Sequence, residues 1–101
     1  MRPEVARCHL IVSVLAADGM MPKVERALLH RIMKQLELTP EEREQIANFE
    51  GASDALTAAQ SLPAEERQAI ADAIVEAALA DGKLSPQETA AVKRITAALD
   101  L

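Results

Sequence analysis

Apolar residues recur every three or four positions along most of the chain, and this spacing places them on one face of an α-helix. The clearest stripes in the first third are Val5, Cys8, Val12 and Leu15, and then Leu29, Ile32, Met33 and Leu36. Helix starts follow where Thr39 precedes Pro40 and two glutamates, and where Pro63 precedes a similar acidic turn. The pattern predicts five or six helices, over residues 3–17, 23–37, 40–49, 63–80 and 86–99, with a sixth over 53–60.

The second half of this pattern repeats the first. An offset of 63 residues aligns Leu10–Leu38 with Ala73–Leu101 without a gap, and 11 of the 29 aligned positions are identical. The identical pairs are Ile11/Ile74, Val12/Val75, Ala17/Ala80, Asp18/Asp81, Gly19/Gly82, Glu25/Glu88, Ala27/Ala90, Arg31/Arg94, Ile32/Ile95, Leu36/Leu99 and Leu38/Leu101. This identity indicates a duplicated helix–loop–helix unit, so we expect two hairpins that pack about a pseudo-twofold axis.

Length and composition predict a single all-α domain over residues 1–101. Half of the residues are apolar, but there is one Phe and no Trp or Tyr, so Ala, Leu, Ile, Val and Met must build the core. The repeat copies span 3–38 and 66–101, and an acidic linker spans 39–65. The residues expected to be largely buried are Ile11, Val12, Leu15, Leu29, Ile32, Leu36, Ile74, Val92, Ile95 and Leu99.

The net charge of −5 is concentrated in the middle of the chain. Residues 1–36 carry six basic and three acidic side chains, whereas residues 37–66 carry one basic and eight acidic side chains. An acidic middle repels phosphate backbones, and no Trp or Tyr can stack on bases, so nucleic-acid binding is not expected. The longest apolar run, Leu10–Ala17, is far shorter than the ~20 residues that span a bilayer, and the single Cys8 suits a reducing compartment. We therefore expect a cytoplasmic protein without direct membrane insertion.

Each hairpin turn carries the same acidic pattern, Asp-Gly-x-apolar-x-x-x-Glu. It runs from Asp18 to Glu25 in the first copy and from Asp81 to Glu88 in the second. One interpretation is structural, because a Gly ends a helix cheaply and Ser85 with Glu88 matches a capping box. The other interpretation is a cation site, because the spacing is that of the second half of an EF-hand loop.

The first copy weakens the structural interpretation and leaves two reasons for its Glu25, solvent exposure or a cation. Pro22 stands where the second copy has Ser85, and proline has no N–H from which Glu25 could accept a hydrogen bond. The earlier acidic positions of an EF-hand loop are absent from both copies, so affinity should be weak, about 10⁻⁴–10⁻³ M. A cation site of this kind would keep all four carboxylates exposed.

The repeated run of small apolar residues followed by Ala-Asp-Gly-x-(Met/Leu)-x-x-x-Glu resembles the TerB tellurite-resistance family over essentially the whole chain. It also resembles the N-terminal domain of membrane-anchored DnaJ-like co-chaperones. The resemblance implies an all-α fold and metal binding through the matching acidic residues, which here are Asp18, Glu25, Asp81 and Glu88. It further implies a role in stress-response and membrane-associated complexes rather than in catalysis.

The other reactive residues do not form a catalytic set. Cys8 falls on the apolar stripe and is expected to be a core thiol, while His9 and His30 are expected at the surface and are too few for a zinc site. Arg31 and Arg94 occupy matching positions, where they are either solvated or paired, or form the basic part of a partner-binding face. The sequence has no Gly-rich phosphate loop and no nucleophile–base spacing, so no enzymatic activity is expected.

The leading hypothesis is a non-enzymatic TerB-like binding module whose acidic loops hold a cationic partner or, weakly, Ca²⁺ or another divalent cation. No other cofactor is expected. The alternative is a structural adaptor that binds no metal and contacts a partner protein through the acidic segment Glu37–Glu66. Both hypotheses predict a protein partner, and the resemblance implies a membrane-associated, stress-response or tellurite-resistance complex.

Overall fold

Six α-helices form the fold in the computed structural model, which describes residues 1–17, 23–48, 51–79 and 85–101, without the side chains of 23–25 and 52. The helices are α1 (Pro3–Leu15), α2 (Lys23–Gln35), α3 (Pro40–Ala47), α4 (Ala52–Gln60), α5 (Ala64–Ala78) and α6 (Pro86–Ala98). The all-α prediction is confirmed, including the sixth helix in the linker. Across these ranges no helix is both long enough and apolar enough to cross a bilayer.

The first helix, α1, is the centre of the fold and contacts each of the other five helices. Nine of its 13 residues are buried, from Val5 to Leu15, and they lie on every side of the helix. A helix that is apolar all round is stable only when it is surrounded by protein. The sequence between Cys8 and Leu15 provides such a surface, because Ser13 is its only hydroxyl and His9 its only ionisable ring.

Two apolar clusters lie on opposite sides of α1. The main core joins α1 to α4, α5 and α6, and includes Ile11, Leu15, Ile74, Ile95 and Leu99. The second cluster joins α1 to α2 and α3, and its members are Val5, Cys8, Val12, Leu29, Met33, Leu38 and Ile46. Of the ten residues predicted to be buried, seven are buried, and Ile32, Leu36 and Val92 are half-buried at the edges of these clusters.

Local signals set the helix boundaries in the linker. At the start of α3, Thr39 Oγ accepts from the Glu42 N–H at 3.2 Å, and Glu42 Oε1 accepts from the Thr39 N–H at 2.8 Å. This reciprocal pair is a capping box, and it satisfies two donors that the helix start leaves free. Before α4, Gly51 has a φ of 107°, in the left-handed region that an L-residue avoids.

The duplication is visible in how both hairpins end. Glu37 follows α2 and Asp100 follows α6, at positions 63 apart, and both are left-handed with φ of 55° and 62°. In each case the N–H of the next residue donates to a carbonyl oxygen five residues earlier. Leu38 N–H donates to Met33 O, and Leu101 N–H donates to Thr96 O. The two repeat copies therefore end in the same Schellman-type motif. Packing of whole hairpins about a pseudo-twofold axis stays a prediction.

Candidate functional site

Four carboxylates were predicted from the sequence to hold a cation, and the structure describes one of them fully. Asp18 and Asp81 lie outside the described residues. Glu25 belongs to α2, but its side chain also falls outside that description. The geometry of the candidate site can therefore be built from Glu88 outward.

Glu88 occupies the third position of α6 and forms a capping box with Ser85. Ser85 Oγ accepts from the Glu88 N–H at 3.1 Å, and Glu88 Oε1 accepts from the Ser85 N–H at 3.3 Å. Pro86 sits at the first helical position, where its missing N–H costs nothing. The structural interpretation of this part of the pattern is thus confirmed.

The expectation that Glu88 is exposed is wrong, because only 4% of the residue is accessible. Its second carboxylate oxygen, Oε2, is buried and has no hydrogen-bond partner among the described residues. The helix that carries Glu88 packs on α1 and α5, and this packing covers a side chain that the sequence pattern places near a turn. A buried oxygen that lacks a partner costs about 1–3 kcal/mol, more if it is charged.

The orphaned Oε2 gives a test of whether this site fits a metal ion. A hard divalent cation takes carboxylate oxygens as ligands, and it could bind a buried carboxylate oxygen that has no partner among the described residues. Glu88 Oε2 therefore has the chemistry of a cation ligand, but its burial differs from the exposed carboxylate that the sequence led us to expect at such a site. Within residues 1–17, 23–48, 51–79 and 85–101, no three His, Cys, Asp or Glu side chains converge as a metal site.

A groove that does not include Glu88 is lined by two arginines. It has a volume of about 420 Å³ and lies between α1, α2 and α5, with Ile11, Ile32 and Ala77 among its apolar lining. Arg7 and Arg31 both line the groove, as does Glu76. The Arg7 Nε is buried and has no hydrogen-bond partner in the described part of the chain.

Arg31 and Arg94, which occupy matching positions of the repeat, do not both line this groove. Arg31 lines it together with Arg7, whereas Arg94 is an exposed residue of α6 and is not part of its lining. Arg7 was not identified from the sequence as a groove residue. It could have been recognised as a basic residue next to Cys8, one position away from the apolar stripe of α1.

Cys8 and His9 are both buried in α1. The prediction that Cys8 is a core thiol is confirmed, and burial raises its pKa to about 11, which suppresses the reactive thiolate. The prediction that His9 lies at the surface is wrong, because α1 is enclosed on all sides and 2% of His9 is accessible. His30 is exposed, as expected.

A comparison with protein families adds an independent result. The model of the family described as "Tellurite resistance protein TerB" matches residues 4–101. No curated protein and no solved structure matches the chain. The match spans both repeat copies and the acidic linker between them. The chain belongs to the TerB family.

Proposed function

We propose that this protein is a non-enzymatic binding module whose second acidic turn holds a divalent cation, with Glu88 and Asp81 as its carboxylate ligands. One observation carries the proposal: Glu88 Oε2 is buried and has no hydrogen-bond partner in the part of the chain that the structure describes, next to the turn where the repeat predicts a cation site. The first turn, with Asp18 and Glu25, is proposed as a second and similar site because it repeats the same pattern.

The expected affinity is weak. Neither turn supplies the six or more oxygens that Ca²⁺ prefers, so backbone carbonyls and water must complete the shell, and the dissociation constant should lie at about 10⁻⁴–10⁻³ M. Because the Glu88 Oε1 already accepts from the Ser85 N–H, Oε2 is the atom left for the ion. We propose further that the module acts in a tellurite-resistance or stress-response complex, as its family implies.

A non-catalytic role is supported by the state of the reactive groups. The thiol of Cys8 and the imidazole of His9 are both buried in the centre of the fold. Neither lines the groove that contains Arg7 and Arg31. The groups best suited to nucleophilic or general-base chemistry are therefore placed away from the groove.

The test is a Ca²⁺ and Mg²⁺ titration of the ¹⁵N-labelled protein. The amides of Gly19, Met20, Gly82 and Lys83 should shift first, and the Asp18→Asn/Asp81→Asn double variant should lose the response. Glu88→Gln should also weaken it, because Gln can still accept from the Ser85 N–H but carries no charge.

Glu42→Gln is the matched control for Glu88→Gln. Glu42 has the same place in the capping box of α3, so the variant makes the same substitution at a helix start that the Asp-Gly pattern does not precede. It also removes the charge that pairs with Arg2. It should leave the cation response intact. No shift at millimolar cation, or an equal loss in both variants, would overturn the metal site.

The adaptor alternative remains a second candidate because the acidic segment is largely exposed. Among the described carboxylates of residues 37–66, six are exposed, namely Glu37, Glu41, Glu44, Asp54, Glu65 and Glu66. Glu42 is instead half-buried in an ion pair with Arg2. An acidic surface of this extent attracts basic partners over about one Debye length, ~10 Å at 0.1 M salt. Binding of a partner without any cation would favour this candidate.

A further inference from the structure

The two repeat copies differ in the exposure of one stripe of side chains on their first helices. On α5 and its C-cap, the stripe consists of Glu65, Gln68, Asp72, Val75 and Leu79, which are spaced three or four residues apart and are all exposed. The matched stripe of α1 consists of Arg2, Val5, His9, Val12 and Ala16. There Val5, His9 and Val12 are buried, with 2–3% of each accessible.

The helix α3 covers the α1 stripe through two anchors. Ile46 packs in the same apolar cluster as Val12 and Leu38. One turn earlier on α3, Glu42 forms an ion pair with Arg2 at 2.6 Å. These two anchors are four residues apart, so they lie on one face of α3.

The corresponding stripe of the second copy has exposed apolar side chains in the part of the chain that the structure describes. Val75 is identical to its counterpart Val12, yet 38% of it is exposed, and Leu79 beside it is 50% exposed. Leu101 is identical to its counterpart Leu38, but 47% of Leu101 is accessible against 4% of Leu38. No helix among those described covers Val75, Leu79 and Leu101 as α3 covers the first copy.

We propose that this surface, the α5 stripe together with Leu101, binds an amphipathic helix of a partner protein in the way that α1 binds α3. The partner helix carries a branched apolar residue in the place of Ile46 and a basic residue in the place of Glu42. Its minimal pattern is therefore Lys/Arg-x-x-x-Ile/Leu/Val. This interface does not depend on cation binding at Glu88, and it gives the adaptor alternative a specific surface.

Charge complementarity explains why the partner helix carries a basic residue in the place of Glu42. Glu65 occupies the position of Arg2, so an ion pair at this end of the interface must have its signs reversed. Asp72 adds a second carboxylate to the stripe, where it accepts from the Gln68 amide at 2.9 Å. The stripe contains no Lys or Arg, and charges at the rim of an interface select partners by sign.

The chain supplies its own probe, a peptide of residues 38–48 with Glu42→Lys. An isolated helix of this length is marginal in water, so a side-chain staple joins positions 41 and 45, both of which are exposed on α3. The matched peptide keeps Glu42 and carries the same staple. The Lys peptide should shift the amides around Val75, Leu79 and Leu101 in the ¹⁵N spectrum, and it should bind about threefold to tenfold more tightly than the Glu peptide.

Two substitutions in the protein test the two anchors separately. Val75→Asp should weaken the Lys peptide about tenfold or more, because it removes the apolar centre of the interface. Glu65→Lys should invert the preference, so that the Glu peptide becomes the tighter ligand. Glu44→Lys is the control, since it makes the same charge change at an exposed position of α3 and should preserve the original preference.

Three results would overturn the proposal: no shift in this surface at millimolar peptide, equal affinity for both peptides, or shifts confined to another surface. A fourth result that would overturn it is self-association of the protein that Val75→Asp abolishes. In that case the surface would bind a second copy of the chain rather than a partner helix. The outcome of the cation titration does not depend on peptide binding. Val75→Asp should leave the response to Ca²⁺ intact, and Glu88→Gln should leave peptide binding intact.

Discussion

The imidazole of His9 packs beneath the backbone of Gly51. A Cβ added to Gly51 would lie 3.4 Å from Cε1 and 3.5 Å from Nε2 of His9. This contact joins the middle of α1 to the start of α4, and Gly51 reaches it with a φ of 107°. The contact covers part of the buried His9 ring, and the left-handed φ accounts for the glycine at position 51.

Gly51→Ala should destabilise the protein by about 1–2 kcal/mol, because an L-residue is strained at the left-handed φ of Gly51. The free energy of unfolding in urea measures the effect. Gln45→Ala, at an exposed position of α3, should change it by less than about 0.5 kcal/mol. An unchanged urea midpoint for Gly51→Ala would contradict the left-handed backbone at this position.

The stability of the protein should fall as the pH decreases below 6.5. Burial lowers the pKa of His9 from its usual 6.5. Between the lowered pKa and 6.5 the unfolded chain holds a proton that the folded chain does not hold, so acid favours unfolding. His9→Leu should reduce this slope in a series of urea titrations. An equal slope in wild type and His9→Leu would show that another group is responsible.

The helices were predictable from the sequence because their signals are local. Apolar spacing, Pro40 and Pro86 at first helical positions, and Gly51 at a break each act within a few residues. The burial of His9 was not predictable, because a stripe on α1 does not reveal that the helix is enclosed on its other faces. Val12 and Val75 are identical residues at matched positions, but Val12 is buried and Val75 is exposed. Their exposure depends on neighbours that are distant in the sequence, so it was not predictable either.

The candidate site was predictable only in part for the same reason. The spacing from Ser85 to Glu88 identified the capping box, which depends on four consecutive residues. The burial of Glu88 depends on how α6 packs against α1 and α5, and no local pattern encodes that packing. Its orphaned Oε2 was therefore visible only in three dimensions.

Arg2→Ala should raise the pKa of Glu42. The hydrogen bonds from Arg2, followed by that from the Thr39 N–H, lower this pKa to about 2. The stabilisation that results is present above the ordinary value of 4.5 and is lost as the pH falls from 4.5 towards 2. In the variant, a carboxyl ¹³C titration should give a value closer to 4.5, and stability at neutral pH should fall only slightly, because solvent screens an exposed ion pair.

Arg43→Ala provides the control for that titration. It removes an exposed arginine of α3 that forms no ion pair with Glu42. The pKa of Glu42 should therefore stay near 2 in this variant. A similar rise in both variants would mean that general charge, rather than the Arg2 contact, sets the value.

Cys8 should resist modification in the folded protein. Its thiol is fully buried and its pKa is raised to about 11, so the thiolate that reacts with alkylating and disulfide reagents is scarce at neutral pH. Iodoacetamide should label it slowly in buffer and rapidly in denaturant. Rapid labelling of the folded protein at neutral pH would show that α1 is not enclosed on the side facing α2 and α3.

Glu37→Gly should stabilise the protein by about 0.5–1 kcal/mol, because glycine adopts the left-handed conformation that follows α2 without the strain of a side chain. Asp100→Gly should act in the same direction, since its φ of 62° is close to the 55° of Glu37 and it ends α6 with the same hydrogen bonds. The same glutamate-to-glycine change inside a helix, Glu44→Gly in α3, should instead cost about 1 kcal/mol. Thermal unfolding of the three variants measures the opposite signs, and destabilisation by both Glu37→Gly and Asp100→Gly would contradict the motif that the two hairpins share.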